Sequence, residues 1–80
     1  MENKIAIIAL IVEDSDCAEK INAVLHEYSQ YIIGRMGLPY RQKNISIISV
    51  VVDAPMDVIN TISGKIGSLK GVSTKAVCSK

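Results

Sequence analysis

The sequence predicts an α+β domain whose strands and helices follow the order β-α-β-β-α-β. Two runs, KIAIIALIV (Lys4–Val12) and ISIISVVV (Ile45–Val52), are aliphatic at nearly every position and rich in β-branched residues, as buried strands are. Each run is followed by a segment whose apolar residues recur every three or four positions, which is the period of a helix. A chain of 80 residues is the size of one domain, over residues 1–80.

The first helix is predicted directly after the first strand. Its apolar stripe begins with Cys17 or Ala18 and continues with Ile21, Leu25 and Tyr28. Asp16 and Glu19 have the spacing of a capping box, and Asp14 and Ser15 are competing caps. A weaker strand is predicted at Tyr31–Leu38, because it contains two glycines and is followed by Pro39.

The second helix is predicted to begin after the third strand, with Asp53 as its cap and Pro55 in its first turn. Gly64 and Gly67 are poor helix residues, so they indicate either a close approach to the sheet or an early end of the helix. A more polar final strand is predicted at Val72–Ser79.

Topology follows from this element order. Right-handed crossovers through the helices place strands one and three in the centre of a four-stranded antiparallel sheet, with both helices on one face. The most apolar strands are the first and the third, which agrees with a central position. The sequence therefore predicts a ferredoxin-like βαββαβ sandwich.

The sheet face that the helices leave bare is expected to be an interface. If that face met water, the two central strands would alternate between apolar and polar residues, and they do not. Soluble monomers rarely expose so large an apolar strip. We therefore expect a homo-oligomer, a dimer or a tetramer, with an interface drawn from Ile5, Ile7, Ile8, Leu10, Ile47, Ile48 and Val50. The alternative is that the long side chains of Arg35 and Lys75 cover the strip.

The segment GRMGLPYRQ is the candidate site for a ligand or a partner. Arg35 and Arg41 have guanidinium groups whose paired N–H donors suit a carboxylate or a phosphate. Tyr40 adds a flat apolar ring with a hydroxyl group at its end. Gly34 and Gly37 allow a bulge or the approach of another backbone. Protection of a sheet edge by a bulge, a proline and charges predicts the same residues.

Several classes of function are not supported by the residues. A single histidine, His26, expected on the solvent side of the first helix, and two remote cysteines provide neither a metal site nor a catalytic pair, so no cofactor is expected. The central strands hold no aromatic residue for stacking on bases, so direct nucleic-acid binding is not expected. The apolar runs are too short to span a membrane, and two free thiols fit a reducing cytoplasm.

The motifs YIIGRMGLPYR, ISIISVVVDAP and ISGKIGSLKGV resemble the iron-only hydrogenase system regulator family over essentially the whole chain. These small proteins are similar to ACT domains and to the C-terminal domain of a nickel regulator. The resemblance implies an ACT-like domain, oligomeric assembly and a regulatory role. The histidine-rich ligand set of the nickel regulator is missing, so nickel sensing is not implied.

The function expected from the sequence is thus a non-enzymatic regulatory module that binds a small anionic effector or a protein partner. Two alternatives stay open: a small enzyme with its pocket between paired sheets, and a structural assembly partner in hydrogenase maturation.

Overall fold

The computed structural model describes residues 2–79, and its elements follow the predicted order. Three short 3-10 turns, at Ser15–Cys17, Ser29–Tyr31 and Arg41–Lys43, join some of these elements. The strands and helices are β1 (Asn3–Val12), α1 (Ala18–Glu27), β2 (Ile32–Tyr40), β3 (Ile45–Pro55), α2 (Met56–Gly67) and β4 (Val72–Cys78).

The four strands form one antiparallel sheet in the order β2-β3-β1-β4. The prediction that the first and third strands lie in the centre is confirmed. In the centre of the sheet, Ile7 lies opposite Val51 on one side and opposite Val77 on the other. The fold is therefore the ferredoxin-like α+β sandwich.

The core lies between the sheet and the two helices. Alternate residues of β1, from Ala6 to Val12, point into it, together with Ile21 and Leu25 of α1. The helix α2 contributes three isoleucines, Ile59, Ile62 and Ile66, which are fully buried. Burial of each such side chain stabilises the fold by roughly 1.5–3 kcal/mol. No polar or charged side chain is buried among residues 2–79, so this core is held by aliphatic packing.

Some element ends differ from the prediction. Asp14, and not Asp16, is the cap: its Oδ1 accepts a hydrogen bond from the backbone N–H of Asp16 at 3.0 Å, which begins a 3-10 turn ahead of α1. Asp53 does not cap α2, because β3 continues to Pro55 and its pairing with β1 includes Asp53. Strand β2 continues through Pro39, which an edge strand tolerates because one side needs no donor.

Close approach of α2 to the sheet explains one of the two helix glycines. A Cβ at Gly67 would lie 2.8 Å from Oγ1 of Thr74 on β4, whereas a Cβ at Gly64 would have no atom within 4 Å. Of the two glycines in α2, Gly67 is therefore the one that packing requires.

Lys65 joins the two helices at their exposed surface. Its Nζ donates to Oε1 of Glu27 at 3.2 Å and lies 5.1 Å from the centre of the Tyr28 ring. Contacts with Tyr28 and with Glu27 raise the pKa of Lys65 above its ordinary value. A lysine whose pKa is higher in the folded than in the unfolded protein stabilises the fold at any pH below its unfolded-state pKa. This contribution is lost as the pH rises through the folded-state pKa. Lys65 therefore stays charged, and this contribution is present, throughout the physiological range.

Candidate functional site

The sheet face opposite the helices is strongly apolar and exposed. We call it the open face. Side chains of β1 there, Ile5, Ile7 and Ile11, are 44–45% exposed, although they lie in a central strand. The other large apolar residues of the open face, assigned from the strand register, are Met36, Leu38 and Tyr40 of β2, Ile47 of β3 and Val77 of β4.

The seven residues expected at an interface divide between the two faces of the sheet. Ile5, Ile7 and Ile47 belong to the open face. The others do not: Ile8, Leu10 and Val50 are fully buried under the helices, and Ile48 is packed against the core. Ile8, Leu10 and Val50 are thus core positions, and Ile48 is a half-buried residue on the helix side, because successive residues of a strand point to opposite faces.

A bulge in β2 decides which of its residues lie on the open face. Ile32 is opposite Val52 and Gly34 is opposite Val51, so Ile33 is an extra residue without a partner on β3. An inserted residue exchanges the two faces of a strand from that point on. As a result Arg35 lies opposite the buried Val50, on the helix side, and Met36 lies on the open face.

The open face is therefore not covered by Arg35. This removes half of the alternative explanation, in which Arg35 and Lys75 lie over the strip. Lys75 does lie on the open face, since it pairs with Ala9 of β1. One lysine stem leaves the neighbouring isoleucines exposed, as their values of 44–45% indicate.

A cleft runs between α1 and the β2 edge on the helix side of the sheet. Arg35 and Asn22 line both of its compartments. The outer compartment is open and has a volume of about 450 Å³, with Leu25, His26, Ser29 and Ile32 as its other walls. The inner compartment is narrower, about 220 Å³. Its other lining residues are Val12, Ser15, Ala18, Ile21, Ser46 and Ile48.

Arg35 provides the positive charge of this cleft. Its Nη2 donates to Oδ1 of Asn22 at 3.2 Å, an exposed contact between β2 and α1. The ion pair found among residues 2–79 is Lys65–Glu27, so within that range no carboxylate lies within 4.0 Å of Arg35. A guanidinium has five N–H donors in a planar fork, and most of those on Arg35 are not used by the protein residues described.

The other residues of the predicted site are separated from Arg35. Tyr40 lies on the open face, opposite Ile45. Arg41 begins the turn after β2 and lines a smaller hollow of about 140 Å³. This hollow shares Val12, Ser15 and Ser46 with the inner compartment, so Arg41 lies at the far end of the same groove.

The two glycines of the predicted site also lie on different faces. Gly37 is opposite Ile48 on the helix side, and Gly34 is opposite Val51 on the open face. At either position an added Cβ would meet no atom within 4 Å. Neither glycine is therefore required by close packing in this chain.

The part of the cleft that α1 provides was not predicted from the sequence. His26 was expected in solvent; it is exposed, but it also lines the outer compartment with Asn22 and Ser29. A signal was available, because residues 22 and 26 have the four-residue spacing of one face of α1, and Ser29 follows just after the end of this helix. No group of metal-ligating side chains occurs among the described residues, and neither helix in that range is long and apolar enough to cross a membrane.

Fold and site together define a small ferredoxin-like, ACT-like domain with an open apolar sheet face and a charged cleft beside one helix. Comparison with known proteins gives its family. The profile of the TM1266-like family, described as "Iron-only hydrogenase system regulator, putative", matches residues 4–76. The chain belongs to this family.

Solved structures give the same relationship. The uncharacterized protein TM1266 from Thermotoga maritima superposes with a TM-score of 0.93 at 34% identity, covering 99% of this chain and 100% of that one. A formyltetrahydrofolate deformylase from Pseudomonas putida matches with a TM-score of 0.66 at 14% identity, over 91% of this chain and 28% of the enzyme, which shows a shared fold alone. Among the curated proteins, none matches significantly.

Proposed function

We propose that this protein is a non-catalytic regulatory module of the iron-only hydrogenase system. In this proposal it associates with a second copy through the open face, and it binds a small anionic effector in the cleft at Arg35. The exposure of three isoleucines on a central strand is the observation that carries the proposal. Membership of a family described as a system regulator supports the regulatory role.

The size of the open face supports a second copy as its occupant. Four strands at about 4.8 Å spacing and about 3.3 Å per residue give a face of roughly 19 by 30 Å, or about 600 Å² in flat projection. Side-chain relief makes the accessible area larger, and a standard interface takes about 800 Å² from each partner. Asp53 and Lys75 both lie on this face, so a two-fold pair offers charges of opposite sign across the interface.

The cleft supports an anion as the effector. The Arg35 guanidinium has free donors, and Asn22 fixes its position. No aspartate or glutamate lines either compartment, so nothing there competes with a bound anion. A carboxylate or a phosphate accepts two parallel hydrogen bonds from such a fork.

The effector assignment predicts that Arg35→Gln weakens the binding of small carboxylates and of inorganic phosphate by about tenfold or more. Hydrogen bonds to charged groups contribute about 1.5–3 kcal/mol each, and 1.4 kcal/mol corresponds to tenfold. The matched control is Lys20→Gln, which removes the same charge from an exposed position of α1 that does not line the cleft. Thermal-shift titration of the wild type and the two variants measures the effect. Equal responses of Arg35→Gln and Lys20→Gln would contradict the assignment.

A further inference from the structure

We propose that the effector is a small aliphatic carboxylate, with its carboxylate on Arg35 and its hydrocarbon chain in the inner compartment of the cleft. This inference rests on the proposed function, in which the cleft binds an anion. It adds the chemical class of the ligand and its orientation.

The inner compartment has the composition of a site for a short hydrocarbon chain. Val12, Ile21 and Ile48 form apolar walls, with Ala18 beside them, and Arg35 with Asn22 forms one boundary. Polar groups are few there: Ser15 and Ser46 line the compartment on the side that continues toward Arg41. Apolar walls with a small number of placed polar groups are the usual pattern of a small-molecule site.

The volume of the inner compartment suits a short ligand. About 220 Å³ corresponds to roughly seven water molecules at about 30 Å³ each. A carboxylate with a chain of about four to six carbons fills a space of this size. A larger apolar acid would extend into the open outer compartment and would gain less burial there.

Gly37 is the residue of β2 beside Ile48, which forms one wall of this compartment. Residue 37 lies opposite Ile48, so a side chain at this position would stand on the same face of the sheet as the compartment wall. Glycine leaves that space empty, and no atom lies within 4 Å of the position a Cβ would take. We therefore expect a larger side chain at 37 to reach the space beside Ile48 without displacing the core.

Charge favours a carboxylate over a phosphate dianion. Within the described residues the inner compartment presents a single cation, Arg35, and no second lysine or arginine lines it. One planar fork matches the two oxygens of one carboxylate, while a phosphate keeps further oxygens that need donors. Val12, Ile21 and Ile48 provide no such donors, so a phosphate would depend on the Asn22 amide and the hydroxyls of Ser15 and Ser46 for its remaining oxygens.

Titration of the full chain with acetate, butanoate and hexanoate, followed by amide chemical shifts in NMR, tests the inference. Each methylene buried in the compartment is expected to raise the affinity about fourfold. The matched primary amides are expected to bind at least about tenfold more weakly, because a neutral amide cannot accept the pair of charge-assisted hydrogen bonds from the Arg35 guanidinium. Inorganic phosphate is included as the competing anion.

Two variants at glycine positions test where the hydrocarbon chain of the ligand lies. Gly37→Leu is expected to abolish the gain from acetate to hexanoate while acetate still binds. Gly64→Leu, the matched control, adds the same side chain at an exposed position of α2 that lines neither compartment, and is expected to preserve the gain. Far-UV circular dichroism of both variants checks that the fold is retained.

The outcomes separate this inference from the proposed function. Affinity that is independent of chain length, or a Gly37→Leu variant that keeps the full gain, overturns the aliphatic carboxylate. Phosphate binding that requires Arg35, with no binding of carboxylates, overturns it too but leaves an anionic effector in place. If no anion shifts any cleft residue, both proposals fail.

Discussion

Replacement of Gly71 by alanine is expected to lower the free energy of unfolding by about 3 kcal/mol. Gly71 has φ +82°, in the left-handed region where a side chain costs about 1–2 kcal/mol. A Cβ there would also lie 2.7 Å from Cβ of Asp14. The backbone cannot move away freely, because the N–H of Glu13 donates to the Gly71 carbonyl at 2.7 Å, and loss of that bond costs about 1 kcal/mol.

Gly64→Ala is the matched control for this prediction. Gly64 lies inside α2 with no atom within 4 Å of an added Cβ. There alanine is expected to raise the free energy of unfolding by about 0.5–1 kcal/mol through helix propensity. Urea denaturation at one fixed protein concentration measures both variants, since association makes apparent stability depend on concentration. A Gly71→Ala variant as stable as the wild type would show that the Gly71–Asp14 contact carries no strain.

Ile7→Glu is expected to weaken self-association by roughly a hundredfold or more. Ile7 lies on the central strand of the open face, between Val51 and Val77, and is 45% exposed in the single chain. A carboxylate placed there loses its water when the face is covered, and the residues directly opposite it on both neighbouring strands are valines. In a lone chain the same residue is tolerated, because the face is in contact with water. The concentration dependence of the sedimentation coefficient reports the change.

Met56→Glu provides the comparison on the other side of the sheet. Met56 is a similarly exposed apolar residue, at 39%, in the first turn of α2, where an acidic residue suits the helix dipole. Its replacement is expected to leave self-association unchanged. If both variants weaken association equally, the effect arises from net charge and not from the open face.

Much of the fold could be predicted because periodicity and composition agree. The two continuous aliphatic runs became the central strands β1 and β3, and the three- and four-residue apolar period after the second run became the buried face of α2, with Ile59, Ile62 and Ile66. Element ends were less predictable. Several acidic residues near the start of α1 are chemically equivalent as caps, so only the path of the chain selects Asp14, and the continuation of β3 to Pro55 excludes Asp53 as a cap of α2.

The site was less predictable than the fold, because one residue of register decides it. Residues 34 to 41 are contiguous in sequence, yet the bulge at Ile33 places Arg35 with the helices and Met36 on the open face. Gly34 and Gly37 allow a bulge in β2, but the sequence pattern does not show where the bulge lies. Each possible pairing register of β2 with β3 leaves a similar alternation of apolar residues. The contribution of Asn22 and His26 to the cleft depends on how α1 packs against β2, and this tertiary packing is not visible in the local sequence pattern.

Sedimentation equilibrium of the unmodified protein at micromolar concentration tests the account most directly. If a second copy covers the open face, the sedimenting particle has at least twice the 8.7 kDa mass of the chain. The mass measured for the Ile7→Glu variant is then closer to that of a single chain. A wild-type protein that sediments as one chain throughout this range, without aggregation, would contradict the assembly on which the account depends.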